Sequence, residues 1–124
     1  MSLHTTFQKA AKTVFKVFKS LIFKVQYVVV IKDGFDVDTR TSYPVDMIID
    51  TFAERDVQFL SFSNLIQPTD VKGLIRGQNL RDQGVTILST EDVIVRDDNG
   101  IEYAIIAYNT DPAEALYTLL LRNV

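Results

Sequence analysis

The last third of the chain most limits what it can fold into. In "EDVIVRDDNGIEYAIIAYNTDPAEALYTLLLR", residues 91–122, three strand-like stretches are joined by two turn signals, Asn99-Gly100 and Asp111-Pro112. The first of these is the strongest short-range signature of a β-hairpin. Alternation along the middle stretch puts Tyr103 and Ile105 on one face and Ala104 and Ile106 on the other, so both faces are apolar. A meander with two apolar faces needs cover on both sides. The reading that meets this need is mainly β: a small antiparallel β-barrel with an N-terminal amphipathic α-helix packed against it.

A suitable helix is present at the other end. In "TTFQKAAKTVFKVFKS", residues 5–20, Phe7, Ala11, Val14 and Phe18, with Leu21 beyond, recur at helical spacing, and Lys9, Lys12, Lys16 and Lys19 fall on the opposite side. Thr5 or Thr6 could cap it, and the late lysines suit the negative end of the helix dipole. The pattern then changes. "FKVQYVVVIKDG" carries a β-branched run that belongs in the middle of a sheet and ends at a turn, Lys32-Asp33-Gly34.

Farther on, "FDVDTRTSYP" reads as an edge or long loop and "VDMIIDTF" as a second strand. "VQFLSFSNLI" alternates as another strand up to Pro68. "VKGLIRGQNL" fits a strand or a short helix, because Gly73 and Gly77 weaken both readings. The chain of 124 residues is expected to form one domain, with residues 1–22 as the basic helix and residues 23–124 as the barrel body.

Composition narrows the chemistry. There is no cysteine, which removes disulfides and thiolate metal sites and makes the cytoplasm the default compartment. The longest apolar run, Leu21 to Ile31, is short for a bilayer and is interrupted by Lys24 and Gln26, so no membrane span is expected. Charge is divided unevenly. Residues 1–24 hold five lysines and no acid, whereas the remainder holds eight basic and sixteen acidic residues. Such polarity bears on association rather than on fold.

Catalytic candidates are few. His4 is the only histidine and sits near the start of the chain, a poor place for a nucleophile–histidine–acid arrangement or an imidazole metal site. Asp97, Asp98 and Glu102 cluster around the hairpin signal. A two-residue turn at Asn99-Gly100 would set Asp97 opposite Glu102, where a cation or a wider loop could relieve the repulsion; solvated acids at a hairpin tip are the commoner reading.

The calcium-loop pattern is not matched, Asp36-Val37-Asp38 lacks a nucleotide-binding unit around it, and Gly73, Gly77 and Gly84 fail the phosphate-loop and dinucleotide spacings. No enzyme activity, cofactor or metal is therefore expected. Lys9, Lys12, Lys16 and Lys19 are the candidate interaction residues. They could meet phosphates, acidic lipid headgroups or the acidic body of a neighbouring copy.

The segment from Thr90 to Arg122 resembles the C-terminal half of small head-tail joining proteins of tailed phages and prophages, the head-completion or stopper group. The elements of the likeness are Asp92 to Ile94, the glycine turn into Gly100 to Ile105, the proline turn at Asp111-Pro112, and Tyr117 to Arg122. "VKGLIRGQNL" is similar to the apolar stretch before them. The resemblance implies a non-enzymatic virion assembly protein, a homo-oligomeric ring connecting the head portal or adaptor to tail proteins. DNA would pass through the channel without sequence-specific binding. It also implies location in the virion, and in the host cytoplasm during assembly. The alternative is a β-barrel binding module that uses its lysine-rich helix for single-stranded nucleic acid or an anionic membrane surface.

Overall fold

The computed structural model describes residues 3–32, 38–52, 62–85 and 88–124. Helix α1 (Leu3–Val17) and a 3-10 turn (Lys19–Leu21) lead into strand β1 (Ile22–Lys32), which pairs antiparallel with β2 (Asp38–Thr51). After a 3-10 turn at Ser63–Leu65 come β3 (Val71–Arg76), the short helix α2 (Gly77–Asp82), β4 (Val93–Arg96), β5 (Glu102–Thr110) and β6 (Leu116–Asn123). The six strands close in the order β1-β2-β3-β6-β5-β4, every neighbouring pair antiparallel. The expected barrel with an N-terminal helix against it is the observed fold.

The interior is filled. Val25 and Tyr27 of β1, Met47 of β2, Ile75 of β3, Ile94 of β4 and Leu119 of β6 are fully buried in one cluster. Gly73 also points inward: a Cβ there would lie 2.8 Å from Met47 Sδ and 2.9 Å from a Leu121 methyl. Glycine is thus what lets β3 pass so close to β2 and β6, and the space inside is a core rather than a pore.

The outer faces need cover as well. Leu120 of β6 and Ile48 of β2 alternate with the inward residues of their strands and lie outside the interior cluster, yet both are buried. Helix α1 contacts β6 and buries Ala11 and Phe15. Its apolar stripe is rotated from the sequence reading: Phe15 is buried, while Phe18, past the helix end, is 46% exposed. The helix stops at Val17, and the 3-10 turn then breaks the helical period that had placed Phe18 and Leu21 on the packing side. Because Leu3 already lies within the helix, Thr5 and Thr6 are helical rather than capping residues.

Several elements differ from expectation. From Asp38 on, the segment read as an edge or long loop joins the segment read as a second strand in one strand of 14 residues, running through Pro44; residues 35–37 lie outside the described residues. Pro44 faces Gln26 of β1, and β3 pairs with β2 only from Ile48 to Thr51, so proline sits where β2 has no second strand neighbour. "VKGLIRGQNL" is both alternatives in succession, strand to Arg76 and helix from Gly77. Within "VQFLSFSNLI", Ser63–Leu65 is a 3-10 turn rather than strand, and residues 57–61 lie outside the described residues. Of the expected turn at Lys32-Asp33-Gly34, Asp33 and Gly34 also lie outside the described residues.

Helix α2 begins against the turn after β5. Gly77 N donates to Ala115 O at 2.9 Å, and a Cβ on Gly77 would lie only 1.8 Å from Glu114 O. Asp111 holds that turn, its Oδ1 accepting from Ala113 N and Ala115 N and its Oδ2 from Leu116 N. The Asp-Pro signal therefore works through the aspartate, as an Asx-type turn.

Candidate interaction surface

Lys9, Lys12, Lys16 and Lys19 are all exposed. The first three project from α1, and Lys19 opens the 3-10 turn that follows. Helical advance separates them from Ala11 and Phe15, so the packing that fixes the helix leaves the lysines on its solvent side. They do not act as one group. Lys16 and Lys19 line a recess with Arg76, whereas Lys9 and Lys12 lie away from it. Arg76 was not legible as a site residue, because only the closed barrel brings the end of β3 beside the end of α1.

Val17, 68% exposed, and Phe18 flank Lys16 and Lys19 in sequence, so the end of the helix offers apolar as well as cationic surface. A second apolar exposure is Ile31, 56% exposed, on the part of β1 beyond its pairing with β4, which ends at Val28–Val93.

The acids near the hairpin are drawn to separate partners. Four residues, 97–100, turn the chain between the paired Arg96 and Ile101: Arg96 N donates to Ile101 O, Gly100 N donates to Arg96 O, and Gly100 takes φ +71°. Glu102 consequently faces Val95, not Asp97. Each acid has its own partner. Asp97 accepts from Gln26 Nε2 at 3.2 Å, Asp98 accepts two bonds from Arg96 at 2.9 and 2.6 Å, and Glu102 accepts from Arg40 at 2.9 Å. The Arg96 guanidinium holds the Asp98 carboxyl below its usual range. Among the described residues no group of three or more histidines, cysteines or acids is placed to hold a metal ion. His4 falls in the first turn of α1, and Asp36 lies outside the described residues.

Two buried carboxylates serve the barrel. Asp92 accepts from Tyr27 Oη at 2.6 Å and from Val30 N at 3.2 Å, answering a β1 amide beyond the end of β4. Burial, then the bond to Asp92, pushes the Tyr27 phenol far above its ordinary range. Asp70 accepts from Arg122 and from Gln67 N, and Arg122 holds its carboxyl below the usual range. The arrangement joins strands and loops.

Among the described residues no helix is long and apolar enough to cross a membrane. No family model, curated protein or solved structure matches the chain.

Proposed function

We propose that this chain is a non-enzymatic structural protein of the tailed-phage virion, one subunit of a ring that connects the head portal or adaptor to the tail. The observation that carries the reading is the correspondence between the head-tail joining pattern and the barrel wall. Its strand segments fall on β4, β5 and β6, and its two turns fall on the β4–β5 and β5–β6 connections. A packed interior supports the same reading, because such a barrel acts through its outside and its loops. A conduit for DNA would then run between subunits rather than through a barrel. Opposed charge on the helix and the acidic body suits a repeated head-to-tail contact, and a closing rotation leaves no unsatisfied copy.

The test is electron microscopy of particles made by the parent phage or prophage after deletion of the gene. Filled or leaking heads lying apart from finished tails support the joining role, and normal infectious particles refute it. On the purified chain, charge reversal of Lys9, Lys12, Lys16 and Lys19 to glutamate probes the helix better than truncation, which would also strip the packing of Ala11 and Phe15. A ring that assembles unchanged with all four reversed removes the helix from the contact.

A second reading, attachment to an anionic membrane surface, is favoured by Val17 and Phe18 exposed beside Lys16 and Lys19. Apolar residues flanked by cations are what an interfacial helix presents to lipid. Flotation with anionic but not neutral vesicles, lost when Phe18 becomes serine, would support it; equal behaviour with both vesicle types would not.

A further inference from the structure

Where α1 ends, three cations converge. Lys16 from the last turn of the helix, Lys19 from the 3-10 turn and Arg76 from the end of β3 line one recess of about 410 Å³ beside β2 and α2. None of the three has an ion-pair partner among the described residues, and Arg76 Nε is buried without a hydrogen-bond acceptor. A guanidinium donor withdrawn from water and left unanswered is costly to the fold. The Nε atom itself is closed to solvent, so a ligand in the recess would meet the rest of the guanidinium together with the two lysines.

The walls limit what that is. Asp46 also lines the recess, but its Oδ1 is 2.6 Å from Lys24 Nζ, which cancels its charge locally. Asp82 accepts from the Gln78 amide at 2.7 Å and has no ion-pair partner among the described residues. Three cations against one remaining acid leave a net charge of about +2, opposite in sign and close in magnitude to a phosphate monoester's, about −1.5 to −2 at neutral pH. Arginine with lysine is also the pairing that best matches phosphoryl oxygens. The recess is too large for the phosphoryl group alone and falls in the size range of small-molecule sites. Phe15 and Ile22 supply apolar wall for the rest of a ligand.

We propose that this recess binds an organic phosphate, with Arg76, Lys16 and Lys19 on the phosphoryl oxygens and Phe15 and Ile22 against the organic part. The site stands apart from the assembly reading. Binding by a chain that never forms rings leaves it intact while that reading falls.

Titration calorimetry with adenosine monophosphate as the probe, at low salt, tests it. Saturable binding is expected, weakened about tenfold in Arg76→Gln and severalfold in Lys16→Gln and Lys19→Gln, with Lys9→Gln and Lys12→Gln unchanged. Because both lysines are exposed, their variants keep the test decisive if Arg76→Gln fails to fold. Absence of saturable binding overturns the proposal, as does a folded Arg76→Gln that binds like the parent. Inorganic phosphate binding as tightly as the nucleotide overturns the role of Phe15 and Ile22. A short oligothymidylate distinguishes a polymer source of phosphate. If it binds while the nucleotide does not, and all four lysines contribute equally, diffuse attraction to the helix replaces the recess.

Discussion

Arg122 and Asp70, 52 positions apart, meet in a two-pronged ion pair: Nε donates to Oδ1 and Nη2 to Oδ2, each at 2.9 Å. Arg122 Nη2 also donates to Leu65 O at 3.0 Å, and Gln67 N donates to Asp70 Oδ2 at 2.8 Å. One side chain from the last strand thereby ties down the residue before β3 and the 3-10 turn ahead of it.

Replacing Arg122 with alanine strands the buried Asp70 carboxylate and is expected to cost clearly more than the loss of an exposed pair. Lys24→Ala and Arg40→Ala break exposed pairs with Asp46 and Glu102 and should cost no more than about 1 kcal/mol. Urea unfolding of the three variants at neutral pH reads the difference, and equal midpoints would overturn the ranking.

The same pair sets an acid dependence. Arg122 lowers the Asp70 carboxyl below its ordinary 3.8, so the folded state binds that proton less readily than the unfolded chain does. Its contribution is complete above the ordinary value and is lost as pH falls through the lowered one. Stability measured from neutral pH down to about pH 2 should therefore fall less steeply in Asp70→Asn than in the parent.

Tyr27 governs the alkaline side. Its phenol is displaced upward by burial and by Asp92, and the Tyr117 phenol is pushed up to about 12 by burial and by Glu114. Raised folded-state values mean stability that is complete below the ordinary value of 10 and is lost as pH rises above it. Ultraviolet titration should show neither ring ionising near the ordinary value of 10 while the chain is folded. Tyr27→Phe leaves Asp92 without its hydroxyl donor, costs about 1–3 kcal/mol at neutral pH and flattens the alkaline decline. Ionisation of both rings near pH 10 in a chain that remains folded would contradict this assignment.

Two glycines should respond differently to alanine. At Gly77 the new Cβ meets Glu114 O, a backbone atom held by the Asp111 turn, at 1.8 Å. At Gly73 it meets the flexible ends of Met47 and Leu121 at 2.8 and 2.9 Å, which can yield. Gly77→Ala is expected to cost about 3 kcal/mol and Gly73→Ala about 1 kcal/mol, the two ends of the overpacking range. Thermal unfolding of both variants checks the order.

Much of the barrel was legible because strand alternation is local. Tyr103 and Ile105 on one face of β5, and the turns at Asn99-Gly100 and Asp111-Pro112, could be read from neighbouring residues. The single strand through Pro44 could not, because proline's tolerance there depends on where β3 stops pairing with β2. Arg122 belonged to a recognisable strand ending, but its partner Asp70 lies across the β3–β6 pairing. Of the recess, the lysines could be read from helical spacing, whereas Arg76 required barrel closure.

The helix offers a direct test of that limit. Sequence spacing favours Phe18 as a packing residue, yet Phe15 is 9% exposed and Phe18 46%. Phe15 sits one helical turn after the buried Ala11, while Phe18 follows the last helical residue and escapes the stripe. Phe15→Ala should therefore cost about 3 kcal/mol through lost burial and the cavity it leaves. Phe18→Ala should change stability by no more than about 0.5 kcal/mol. Hydrogen exchange would locate the Phe15 effect: amides of α1 should lose protection before those of β5 and β6, because the closed barrel keeps its own interior cluster without the helix. Uniform loss of protection across helix and barrel would instead make α1 part of the same cooperative unit.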